Sequence, residues 1–137
     1  GHIMQYAGDI TSLQAWGFLS SDHNSILIDV RTSAEIAFVG RPNIPDNKYV
    51  ASPIYEFPHM EFCDSFLEDI KLLSSYDKIL FLCRSGSRSR NAAAIASNSG
   101  LNGCYNISDG FEGELDDNGH RGNISGWKAN KLPWSQT

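Results

Sequence analysis

Lys78-Ile79-Leu80-Phe81-Leu82-Cys83 constrains the fold of this chain more than any other stretch. From Ile79 onward every position is apolar, without alternation. A strand of that kind must be covered on both faces, which places it inside a parallel sheet. Directly after it comes Arg84-Ser85-Gly86-Ser87-Arg88-Ser89-Arg90, and then an alanine-rich run with Gly100 placed as a helix stop. The helix is expected to begin near Arg88.

The remaining elements agree. Thr11 and Gln14 stand at capping-box spacing, and Leu13, Trp16 and Leu19 follow a helical period, predicting a helix over 12–19. The run SILIDV at 25–30 reads as a second buried strand. Thr32 and Glu35 form another capping box and open a short helix over 33–38, ended by Gly40, Pro42 and Pro45. A strand is expected at 49–54, with Pro53 weakening its end, and a short one at 103–107. Phe62, Phe66, Ile70 and Leu73 predict an amphipathic helix over 59–73. From Ser108 on, repeated glycines and little periodicity predict an ordered loop wrapping the sheet's edge, held down by Phe111, Trp127 and Trp134. Strands and helices alternate without an internal repeat or linker. This predicts one α/β domain whose mostly parallel sheet, of about five strands, carries helices on both faces. Gly1-His2-Ile3-Met4 reads as an expression scar ending in a start methionine, so the domain is taken as 5–137.

Hydrophobic residues are 41% and charged residues 20%, the balance of a folded domain rather than a disordered chain. No apolar run approaches the roughly 20 residues that cross a bilayer, so no membrane association is expected. The net charge of -5 argues against a nucleic-acid binder, while leaving room for a local basic pocket. Three cysteines without C-x-x-C make neither a disulfide framework nor a zinc pattern. His2, His23, His59 and His120 do not pair at ligand spacing, so no metal is expected. A reducing, cytoplasmic compartment fits this cysteine usage.

Chemistry concentrates at Cys83. It ends a buried strand, and in open α/β sheets ligands bind just beyond the carboxyl ends of the strands. A loop turning into a helix N-terminus aims backbone N–H groups inward and makes an anion cradle, and Gly86 lets the chain close that turn. Arg84, Arg88 and Arg90 add positive charge. Each feature favours the thiolate, the nucleophilic form of cysteine. Three arginines beside a buried strand end have no packing role to explain them. Cys63, on the apolar side of the 59–73 helix, and Cys104, inside a short strand, lack basic neighbours and read as packing residues.

Cys83-Arg84-Ser85-Gly86-Ser87-Arg88-Ser89 resembles the C-R-S-G-x-R-S active-site loop of the rhodanese (sulfurtransferase) family. Ile28-Asp29-Val30-Arg31 with Glu35 resembles the family's early D-V-R…E signature, and Gly110-Phe111-Glu112-Gly113 its G-F-E/G-G element. The ending His120-Arg121-Gly122 … Gly126-Trp127-Lys128 … Leu132-Pro133-Trp134 is similar to that of single-domain bacterial members. The likeness runs over nearly the whole domain. Where many members carry G-H-I-x-G-A after the second helix, this chain has Gly40-Arg41-Pro42-Asn43-Ile44-Pro45.

The resemblance implies a rhodanese-like fold and a double displacement. Cys83, the catalytic nucleophile, would take a sulfane sulfur from thiosulfate or a similar donor as a persulfide. It would then pass that sulfur to cyanide or to a small-molecule or protein thiol. Arg84, Ser85, Gly86, Ser87 and Arg88 would bind the substrate, with Asp29, Arg31 and Arg90 in support and no metal or organic cofactor. Ser85 and Ser87 either hydrogen-bond the persulfide or are the small polar residues of any tight loop. Arg88 is the first choice, and Arg84 the second, for drawing in a dianionic donor. His120 and Arg121 either overhang the pocket or belong to a surface loop. Three rival readings remain: a carrier relaying its persulfide to a partner protein, a binding module without activity, and a cysteine phosphatase or arsenate reductase. The phosphatase signature is C-x5-R, and here the sixth residue after Cys83 is Ser89.

Overall fold

The stretch read as a buried strand lies at the middle of a five-stranded sheet in the computed structural model, which describes residues 6–21, 24–56 and 59–136. Residues 1–4, read as an expression scar and start methionine, fall outside the described residues. The chain begins β1 (Gly8–Ile10), α1 (Ser12–Ser21), β2 (Ser25–Asp29), α2 (Ser33–Val39) and β3 (Arg41–Pro42). A 3₁₀ turn leads to β4 (Tyr49–Ala51), β5 (Tyr55–Glu56), β6 (Glu61–Phe62) and α3 (Asp64–Ile70). Then come β7 (Lys78–Leu82), α4 (Ser87–Asn98), β8 (Cys104–Ile107) and β9 (Trp134–Ser135). The large sheet runs β1-β8-β7-β2-β4 with every neighbouring pair parallel. This is the α/β architecture the sequence predicts. The edge strand β1 went unread because three residues carry no periodicity. Among the described residues no helix is long and apolar enough to cross a membrane.

Successive residues of a strand point to opposite faces, and β7 builds a core on each. Ile79 and Phe81, with Ile26 and Ile28 of β2, meet Phe66 and Ile70 of α3 and Ala92, Ala93 and Ala96 of α4. The alanines let α4 lie close to the sheet. Leu80 and Leu82, with Leu27, meet Ala15 and Leu19 of α1. Both predicted capping boxes form. Thr11 and Gln14 exchange hydrogen bonds at the start of α1, and Thr32 and Glu35 do so at the start of α2.

Three expectations are corrected. The tail does not simply wrap an edge. Phe111, Trp127 and Leu132 fill the core on the α1 face, because one ten-residue helix cannot cover it alone. Trp127 is fully buried and meets Trp16 edge-on, and β9 pairs antiparallel with β3. The helix expected over 59–73 starts only at Asp64. Before it the chain is extended: β6 pairs with β5, and Phe62 meets both Tyr55 and Phe66 edge-on. The aromatic spacing is thus shared by a hairpin and a helix. Cys63 therefore sits at the helix entrance, half-buried, with its thiol pushed up by burial and by Glu56 and Asp64. Finally, the strand at 49–54 is regular only through Ala51. Pro53 has no N–H to give, although Ser52 and Ile54 still donate to Asp29 and Val30.

Candidate active site

β7 delivers Cys83, 1% exposed, to the C-terminal end of the central strand. The loop after it is held by backbone. Phe111 N–H donates to the Cys83 carbonyl at 2.9 Å, and Glu112 and Gly113 N–H to the Arg84 carbonyl at 3.0 and 3.1 Å. This close stacking explains two glycines. Gly86, at φ +103°, would drive a Cβ into the Ser108 carbonyl, and Gly110, at φ +67°, into that of Arg84. Gly86 N–H donates to Cys83 Sγ at 3.1 Å. Gly86 also caps α4 with no side-chain hydrogen bond, leaving the helix's first N–H groups to face an anion.

The other polar neighbour of the sulfur is Ser89, whose Oγ lies 3.2 Å away. Ser89 hydroxyl donates to Asn106 Oδ1 at 2.5 Å, and Asn106 Nδ2 to Asp9 Oδ1 at 3.0 Å. Sequence reasoning gave none of these three a role. A signal existed: Ser89 and Asn106 are polar residues at positions where α4 and β8 are otherwise apolar and buried. Ser85 and Ser87 are exposed, and Ser85 borders a separate hollow of about 350 Å³ with Ser108, Asp109, Glu114 and Ser125.

The arginines divide. Arg88 makes a two-pronged pair with Glu35, at 2.6 and 2.8 Å. Glu35 is therefore more than a cap. Burial pushes its carboxyl up, but the hydrogen bonds and charge of Arg88 and the Thr32 N–H and hydroxyl outweigh that and hold it at about 2. The same pair raises Arg88. Arg84 is exposed and has no carboxylate partner among the described residues. Arg84, Arg88, Glu35, Glu112, Val39 and Met60 line a cleft of about 520 Å³. Arg90 is exposed, lies against Tyr6 and takes no part in that wall.

Asp29 and Arg31 are both fully buried at the end of β2. The Arg31 guanidinium holds Asp29 at 2.9 and 2.7 Å, reaches the Gly40 carbonyl at 2.8 Å and lies over the Phe111 ring at 4.3 Å. Tyr49 hydroxyl donates to Asp29, and burial first, then Asp29, pushes that phenol up. This cluster braces the end of β2 against α2 and the tail. His120 is exposed in a turn organised by Asp116, and Arg121 donates to the Gly113 carbonyl; neither lines the cleft.

Residues 14–115 match the family model described as Rhodanese-like domain. The chain belongs to the rhodanese-like domain family. Relatives of this rhodanese-like domain include the uncharacterized protein RC0915 of Rickettsia conorii, 41% identical over 130 residues, and the RP600 homolog of Rickettsia rickettsii, 43% identical over 130 residues. Each match takes in 92% of this chain and 95% of the relative. The crystal structure of Rv0390 from M. tuberculosis superposes with a TM-score of 0.88 at 43% identity, over 97% of this chain and 100% of that one. The rhodanese-like model ends at Leu115, yet Trp127 and Leu132 belong to the core, so the folded unit reaches past the matched segment.

Proposed function

We propose that the protein is a sulfurtransferase that carries sulfur as a persulfide on Cys83. The Cys83 thiolate attacks the outer sulfur of thiosulfate or a similar donor. A new S–S bond forms, and the donor's S–S bond breaks, its electron pair leaving with sulfite. A thiophilic acceptor, cyanide or a thiol, then attacks the outer sulfur and the Cys83 thiolate returns. The observation that carries this reading is the Gly86 N–H aimed at Sγ from a loop that opens directly into α4. A persulfide is an anion, and N–H groups at a helix start are suited to hold one. Arg84 at the cleft is suited to meet an anionic donor, since Arg88 is already paired with Glu35. On that ground Arg84, the second choice from the sequence, is here put ahead of Arg88 as the donor-binding cation. The phosphatase reading loses support, because Ser89 stands where C-x5-R needs arginine and is tied to Sγ and Asn106.

The test is intact-protein mass after incubation with thiosulfate. One added sulfur is expected, lost on adding cyanide and absent in Cys83→Ser, which should stay folded with no thiosulfate:cyanide turnover. Turnover by folded Cys83→Ser, or its loss in folded Cys63→Ser, overturns the assignment.

A further inference from the structure

Among the described residues, Cys83 Sγ has two hydrogen-bond neighbours with different freedoms. Gly86 N–H can only donate to it, whereas Ser89 Oγ can donate or accept. The choice is made further away. The Ser89 hydroxyl faces Asn106 Oδ1 in the core, and Asn106 Nδ2 faces the carboxylate of Asp9, exposed on the edge strand β1. The same Asp9 oxygen accepts from Tyr6 hydroxyl at 2.8 Å. A carboxylate can only accept, so Asn106 must turn its NH₂ toward Asp9 and its carbonyl toward Ser89. That carbonyl can only accept, so the serine's proton lies on the Asn106 side. Ser89 then presents lone pairs to the sulfur. The arrangement that satisfies every group is S–H donating to Oγ, Oγ–H donating to Oδ1, and N–H donating to Asp9.

We propose that Asp9, acting through the Asn106 amide, sets the direction of the Ser89 hydroxyl, so that Ser89 accepts the proton of the resting Cys83 thiol instead of donating to its sulfur. Asp9 and Asn106 are positioning residues; Ser89 touches the reacting atom. The two sides of the sulfur then act in opposite senses. The loop side, Gly86 N–H and the charge of Arg88, favours the anion, while the core side favours the thiol. When the proton leaves, the serine either keeps its bond to Asn106 with lone pairs toward the anion, or swings to the sulfur and strands a buried carbonyl. The inference concerns the thiol itself and holds whichever sulfur donor the protein uses.

The test is the pH dependence of Cys83 alkylation by iodoacetamide, followed on the Cys83 peptide, so it needs no turnover and survives failure of the sulfurtransferase reading. The other charged groups near the sulfur are Arg84 next in the chain, Arg88 with Glu35, and the Asp29–Arg31 pair; Arg90 and Tyr6 lie near Asp9. All are kept. Asp9→Ala, at an exposed position of the edge strand β1, removes the acceptor that fixes the amide. Ser89→Ala replaces a helix residue by the best helix former. Asp9→Ala is expected to lower the alkylation midpoint by about half a pH unit or more, the scale of one hydrogen bond gained by an anion. Ser89→Ala alone should not raise the midpoint, and in that background Asp9→Ala should add almost nothing. A raised midpoint in Ser89→Ala would mean the serine donates to the sulfur, and overturns the proposal. So does an unshifted Asp9→Ala, or an equal shift without Ser89, which would reduce Asp9 to a distant charge.

Discussion

Glu35 does two things with one carboxylate: it closes the capping box with Thr32 and it grips the Arg88 guanidinium. Its folded value of about 2 lies below the ordinary value of 4.5, so the sign is that of a depressed acid. Its stabilisation is fully present above the unfolded value and is lost as pH falls from there through the folded one. The window is therefore about pH 4.5 down to about 2, and the contribution is on the order of 3 kcal/mol at most, before solvent screening. Urea unfolding across that window should show a shallower loss of stability for Glu35→Gln than for the parent; identical slopes would show that the pair contributes nothing. The pairing also bears on kinetics. Arg84→Gln should raise the KM for thiosulfate several-fold and flatten its rise with salt, which is screened over about 8 Å at physiological ionic strength. Arg88→Gln should act more through the Glu35 contact, with thermal stability falling along with activity. A KM independent of salt in the parent would leave the backbone cradle alone holding the anion and move the arginines toward an acidic partner protein.

At the scale of elements, the loop between β7 and α4 works because backbone packs on backbone. Gly86→Ala places a Cβ against the Ser108 carbonyl at a left-handed φ. The expected cost is about 1–3 kcal/mol from strain alone, and more from the clash. The N–H that meets the sulfur moves with it, so both the denaturation midpoint and the rate of persulfide formation should drop. A variant with parental stability would mean that the 108–113 segment yields easily. The legible parts of the sequence were elements with a complete local signal. β7 has its unbroken apolar run, and α1 and α2 have capping boxes written within four residues. The hairpin of β5 and β6 was not legible, since its two-residue strands are defined by pairing and its phenylalanine keeps a helical distance from the next.

For the whole molecule, the tail is a structural member. Trp127 is the largest fully buried side chain, and its indole N–H donates to the Pro133 carbonyl at 2.6 Å. Trp127→Ala should cost about 3–5 kcal/mol, read as a lower urea midpoint, and should loosen Phe111, whose N–H supports the Cys83 carbonyl. Parental stability in that variant would make the tail an appendage. The loop has Ser89 where C-x5-R needs arginine. Hydrolysis of p-nitrophenyl phosphate should therefore be negligible; turnover that disappears in Cys83→Ser would revive the phosphatase reading.

The architecture, and a cysteine at the end of its central strand, follow from contiguous residues. An apolar strand running into a Gly/Ser/Arg loop and a helix carries the α/β fold and the cysteine's position in contiguous residues. Which side chains meet does not follow from them. Arg88 finds Glu35 across 53 positions, Ser89 finds Asn106 across 17, and Asn106 finds Asp9 across 97. Such partners are chosen by sheet order and by the packing of helices on its faces, and a charge or hydroxyl in a one-dimensional chain shows what it can bond but not what it will face.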